Sequence, residues 1–162
     1  MVYEDRRSLK VKLGSSAPDF TLKDRLDQEQ QLSKINRKKV VYFYPKDNTE
    51  GCTIEAREFS SLLPKFDSLK TTIIGISGGD NKSKEKFCVD HNLKHVLLSD
   101  PNFAVSKKYG VYGEKNFMGR KYMGIKRTTF ILDEKDKILK VFENVKPLGH
   151  AQEVLMCIKN VK

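Results

Sequence analysis

The sequence of 162 residues contains no apolar run approaching the roughly 20 residues that a helix needs to cross a bilayer, so no partnership with the membrane interior is expected. Its first residues, MVYEDRRSLKVKLG, mix acids and bases and lack the apolar stretch of a secretory signal; export by that route is not expected, and the cytoplasm is the expected compartment. Internal repeats, low-complexity tracts and linkers are absent too, which makes a single domain over residues 1–162 the expected organisation. Cysteine is scarce. There are three, and an odd number of thiols in a reducing compartment argues for chemistry rather than a disulfide framework. No two of them form a Cys-x-x-Cys pair, which speaks against a general disulfide oxidoreductase, whose chemistry needs its thiols adjacent.

What is abundant is positive charge, with a formal net value of +10. A basic field recruits phosphates, but the lysines here are scattered. Only Lys34–Lys39 (KINRKK) and the stretch from Lys107 to Arg127 are locally dense, and neither interleaves aromatic side chains in a stacking pattern. Most of the charge is therefore read as solvated surface, and nucleic acid is not the expected partner.

Apolar segments alternate between strand-like and helix-like character. Val40–Tyr44 (VVYFY) is short, β-branched and aromatic and is ended by Pro45, as a buried strand would be; Thr71–Ser77 (TTIIGIS) reads the same way. Between them, Thr53–Leu69 spaces Ile54, Phe59, Leu62, Leu63 and Phe66 as an amphipathic helix that Pro64 kinks or splits. A turn and short helix follow in GGDNKSKEKFCVDHN, then a strand at Val96–Leu98. Arg127–Leu132 and Ile138–Phe142, separated by the polar DEKDK, predict an antiparallel hairpin, and Gly149–Ile158 a closing helix. This order predicts an α/β fold with a central mixed sheet flanked by helices on both faces.

The stretch from Tyr44 to Glu55 carries the chemistry, because it places Cys52 where a strand hands over to a helix. Unpaired N–H groups and the positive end of the helix dipole favour a thiolate there. Thr49 is positioned to cap that turn. Taken singly, each residue also has a plain structural role: a small buried thiol, a proline ending a strand, a threonine capping a helix.

Together, Pro45-x-x-x-Thr49-x-x-Cys52 resembles the peroxiredoxin signature P-x-x-x-[TS]-x-x-C. FYPKDNTEGCTIEA is similar, more narrowly, to the bacterioferritin-comigratory-protein or peroxiredoxin Q branch. APDFTL, LLSDPNFAVSKKYGVYG and GIKRTTFILDEKDKI extend the likeness over residues 13 to 160. The resemblance implies a thioredoxin-like fold and a thiol peroxidase without prosthetic group. It implies Cys52 as the nucleophile toward hydrogen peroxide or organic hydroperoxides, Thr49 and Arg127 as groups that hold and polarise the peroxide, Pro45 as a shield and Glu55 as the group orienting the guanidinium. The chemistry is coherent, since cleaving an O–O bond needs an aligned thiolate and donors for the leaving oxygen.

Attack leaves a sulfenic acid that a thiol must capture. Many members of the resembled branch carry the resolving cysteine five residues after the first; here that position is Arg57. Cys88, where a second subgroup carries it, is the implied resolver, with thioredoxin or a similar dithiol as reductant. Cys157 is read as core, and an external thiol acting on Cys52 directly remains an open alternative. Cys88, His91 and His95 have zinc-type spacing without an evident fourth ligand, so no metal is expected. His150 has no partner that can be named. Relatives suggest a monomer. The rival functions are a thioredoxin-fold binding or holdase module and an anionic-surface binder.

Overall fold

The computed structural model describes residues 11–161; the amino-terminal residues 1–10, on which the export expectation rests in part, lie outside the described residues. Nine strands are described: β1 (Thr21–Asp24), β2 (Glu29–Gln31), β3 (Lys38–Phe43), β4 (Thr71–Ser77), β5 (Val96–Ser99), β6 (Tyr112–Phe117), β7 (Arg120–Ile125), β8 (Thr128–Leu132) and β9 (Ile138–Phe142). The helices are α1 (Glu50–Ser61), α2 (Leu63–Ser68), α3 (Asn81–His91), α4 (Ala104–Lys108) and α5 (His150–Asn160). Seven strands form one sheet in the order β2-β1-β5-β4-β3-β8-β9. The central β3, β4 and β5 run parallel, while β1 and β8 join them antiparallel.

The near-continuous apolar runs of β3 and β4 follow from burial on both faces. Alternation divides them: Val41, Phe43, Ile74 and Ile76 point into one core with Phe20, Val105 and Tyr109, while Val40, Tyr42 and Ile73 point into the other. The second core is closed by Cys52, Ala56 and Phe59 of α1, Phe66 of α2, Phe87 and Cys88 of α3, and Val154, Leu155 and Ile158 of α5. The expected α/β architecture is observed, a mixed sheet covered on both sides.

The helix predicted over Thr53–Leu69 is two helices. α1 begins three residues earlier, and the chain restarts at Leu63 with Pro64 in the first turn of α2, where a missing N–H costs no ladder bond. Two hairpins went unread, β1–β2 and β6–β7. The dense basic stretch is largely the second of these, a ribbon whose tip exposes Phe117 and Met118. Neither face of that ribbon is fully covered, so no apolar alternation marks it; its turn places Met118 and Gly119 at positive φ.

Tyr42 crosses the sheet in a gap left by Gly75, where a Cβ would stand 2.8 Å from the tyrosine ring and 2.7 Å from Leu97. Its ring stacks on Phe59 at 4.6 Å, and its hydroxyl meets His95 Nε2 at 2.7 Å. His95 Nδ1 is engaged in turn by Ser60 at 3.0 Å. Burial pushes the His95 pKa from 6.5 down to about 3, so the folded chain keeps the ring neutral. An unfolded chain takes up that proton as soon as pH falls below 6.5, and the folded one does so only near 3. Denaturant midpoints should therefore fall progressively with pH across that window, and His95→Gln should flatten the dependence.

Candidate functional site

Sheet register assembles the site. β8 runs antiparallel to β3 with Thr128 opposite Phe43, so the start of β8 lies beside the end of β3. That is where Tyr44-Pro45 leads into the loop before α1. Arg127, one residue ahead of β8, is thereby carried to the amino-terminal turn of α1. Cys52 is the third residue of that helix and is buried. The Arg127 Nη1 donates to Cys52 Sγ at 3.5 Å and to Glu55 Oε1 at 2.8 Å.

Thr49 occupies the N-cap position, but its hydroxyl makes no capping bond. It donates instead to the Lys46 carbonyl at 2.9 Å, because the chain turns back on itself over those residues. The capping expectation is corrected on this point. The first α1 bond runs from Thr53 N–H to the Thr49 carbonyl, so the N–H groups of Glu50, Gly51 and Cys52 precede the helical ladder. Pro45 is half-buried at the strand end.

Glu55 is fully buried, and its Oε2 has no hydrogen-bond partner. Burial pushes the carboxyl up to about 7 against the pull of Arg127. Burial also works against the Arg127 charge, but Cys52 and Glu55 outweigh it and hold the guanidinium above its ordinary value. The arrangement gathers a thiol, a permanent cation and a free helix end, which together can attract an electron-rich oxygen and stabilise charge on it.

Three neighbours escaped sequence reasoning. Gly51 leaves room for the guanidinium: a Cβ there would press on Arg127 Nη2 and Pro147 Cγ, both at 3.2 Å. Its signal was a glycine directly before the cysteine. Pro147 comes from the loop before α5, which nothing in the sequence ties to this corner. Lys115 of β6 donates to the Ile125 carbonyl at 2.9 Å; burial, then Arg127, push its ammonium below the ordinary value, with Cys52 pulling the other way.

Cys88 lies buried on α3 in the same core as Cys52, and the two are not bonded to each other. Cys157 is only partly buried on α5, and Arg57 is exposed. The zinc-type spacing does not converge. His95 is bonded to Tyr42 and Ser60, and His91 to Asn48 at 2.8 Å; among the described residues no cluster of three or more ligands forms. His150 is buried against Thr129 Oγ1 at 2.8 Å.

Residues 13–141 match the model of the AhpC/TSA family. A putative peroxiredoxin bcp of Helicobacter pylori is 42% identical over 147 residues, covering 90% of this chain and 97% of the relative. The solved bacterioferritin comigratory protein of Xanthomonas campestris, described for its alkyl peroxide reduction activity, superposes with a TM-score of 0.86 at 32% identity over 95% of this chain and 100% of its own. Two solved variants of peroxiredoxin Q from the same organism carry serine for cysteine at positions 36 apart; each has a TM-score of 0.84 at 33% identity and covers 94% of this chain, with 98% and 97% of their own lengths matched. No described helix is long and apolar enough to cross a membrane. The chain belongs to the AhpC/TSA family, among the Bcp and peroxiredoxin Q proteins, and is a thiol-dependent peroxidase.

Proposed function

We propose that Cys52 is the peroxidatic thiol, that Cys88 resolves its sulfenic acid as an intramolecular disulfide, and that thioredoxin or a similar dithiol returns both to the reduced state in a monomeric enzyme. The observation that carries this reading is the single Arg127 nitrogen shared between Cys52 Sγ and Glu55 Oε1 at an uncapped helix end. A hydroperoxide entering there meets its nucleophile and the cation for its leaving oxygen at one point. The Thr49 hydroxyl spends its proton on the Lys46 carbonyl, so its lone pairs are left to accept from the peroxide O–H. Pro45 adds no N–H and shields the approach. The alkyl peroxide chemistry of the Xanthomonas campestris relative supports organic hydroperoxides as substrates beside hydrogen peroxide.

The reaction balances without a cofactor. Cys52 sulfur attacks the distal peroxide oxygen, the O–O bond breaks, and water or an alcohol leaves with the proton, giving a sulfenic acid. Arg127 stabilises the departing oxygen, and Glu55 fixes the fork of the guanidinium. Cys88 supports the second step through spacing: 36 residues separate it from Cys52, as they separate the two substituted cysteines of the Xanthomonas campestris protein.

Cys52→Ser should abolish peroxide consumption in an assay driven by thioredoxin and its reductase. Arg127→Lys, which replaces the fork by a point charge, should lower the second-order rate with peroxide by about 10²- to 10³-fold; a variant retaining full rate would refute the role. Mass spectrometry after one equivalent of peroxide should find Cys52 joined to Cys88, and Cys88→Ser should accumulate sulfenic acid instead. Unaltered turnover of Cys88→Ser would place resolution with an external thiol. Glu55 should tune the pH profile. Below about 7 its carboxyl gains a proton and loosens its hold on Arg127, so the oxidation rate of Cys52 should fall as pH drops through that value, and Glu55→Gln should remove this contribution.

A further inference from the structure

Asp47 lies between Pro45 and Thr49, yet its carboxylate is spent on the neighbouring elements β4 and α3. Oδ2 accepts from Ser83 Oγ at 2.6 Å and from Lys84 Nζ at 2.9 Å; Oδ1 accepts from Tyr44 at 2.6 Å and Ser77 at 3.3 Å. The Lys84 side chain is 0% exposed and that of Asp47 only 6%, and the ammonium has one further partner, the Gly78 carbonyl at 2.5 Å. The next loop residue, Asn48, grips the other end of the helix through Asp90 at 3.3 Å and His91 at 2.8 Å. Two consecutive residues of the Cys52 loop therefore hold α3 at both ends, with Cys88 one turn beyond Lys84.

The polar grip matters because α3 has few other attachments, chiefly the partly exposed Arg25–Glu85 pair at 2.8 Å. Phe87 and Cys88 are its only buried apolar side chains, and Val89 beside them is exposed. A buried pair of this kind is a poor source of net stability, but losing one partner strands a charge in the interior. Cys88 depends on the position of α3. Burial pushes its thiol up to about 11, so while α3 is docked it stays protonated and a weak attacker.

We propose that the Asp47–Lys84 pair is a latch between the Cys52 loop and the Cys88 helix, and that its release limits how fast Cys88 captures the Cys52 sulfenic acid. The proposal rests on the reading of Cys52 and Cys88 given above. Capture balances: Cys88 sulfur attacks Cys52 sulfur, the S–O bond breaks, and hydroxide leaves with the Cys88 proton as water. The competing step consumes a second hydroperoxide, which oxidises the sulfenic acid to sulfinic acid and leaves as water or alcohol. The docked latch keeps the site whole for the first attack but prolongs the life of the sulfenic acid. Asp47, Ser83 and Lys84 are positioning residues that divide the sulfenic acid between disulfide and sulfinic acid.

The test treats the reduced full-length chain with excess hydrogen peroxide, quenches at intervals, and measures disulfide and sulfinic acid by mass spectrometry. Ser83→Ala removes one hydrogen bond to the Asp47 carboxylate and leaves the ion pair with Lys84, and it should speed disulfide formation about fivefold, lowering the ratio of sulfinic acid to disulfide by the same factor. Lys84→Met should move both further in the same direction. Ile138→Val, on the opposite face of the sheet, is the control for general loss of stability and should leave the ratio unchanged. An unchanged or raised ratio in Ser83→Ala overturns the latch, as does a control that shifts as much. If Lys84→Met does not fold, Ser83→Ala alone decides. Absence of any Cys52–Cys88 disulfide in the unsubstituted chain would instead overturn the assignment of Cys88, a different result from a disulfide whose rate the latch does not alter.

Discussion

The contact between Arg127 and the pair Cys52 and Glu55 organises this protein. Its two sides are 75 and 72 residues apart in sequence, and nothing local could bring them together. They meet because β8 lies antiparallel against β3, which delivers the start of one strand to the end of the other, at the corner where α1 begins. The apolar residues of both strands set that register, since a slip of one position would exchange the two core faces. Sheet packing is thus the force that aims a guanidinium at a thiol.

The surroundings then set what the contact can do. Glu55 is buried with one oxygen unpartnered, a costly arrangement tolerated because the nearby guanidinium compensates the charge in a medium of low dielectric. The missing side chain of Gly51 leaves the space in which Arg127 and Pro147 come close to the start of α1. The first-turn N–H groups are not consumed by Thr49, whose hydroxyl is engaged with Lys46. A helix end with free N–H donors is a local loss of stability that an electron-rich ligand can offset.

Stability is distributed unevenly around this corner. β3, β4 and β8 are buried on both faces and anchored by large side chains such as Tyr42, Phe43 and Phe130. α3, which carries Cys88, is attached by a few apolar contacts and by polar bonds to Asp47, Asn48, Gly78 and Arg25. Polar attachment exchanges readily with water once opened, whereas apolar attachment does not, so the core holds α3 less firmly than it holds these strands. The sheet forms the rigid side of this corner and α3 the loosely held one.

Much of this was legible in the residues. The β-branched and aromatic runs at Val40–Tyr44 and Thr71–Ser77 marked the central strands, because strand burial is a local property, and the family resemblance carried by Pro45, Thr49 and Cys52 marked the site. The β6–β7 ribbon was not legible, since a hairpin exposed on both faces has no alternation to read. Nor could spacing show that the Thr49 hydroxyl bonds back to Lys46, or that Asp47 pairs with Lys84 across 37 positions. The sequence by itself determined which groups are available and where the central buried strands run. Only the tertiary structure decided which of them touch, because strand order and register, not proximity along the chain, bring Arg127 to Cys52.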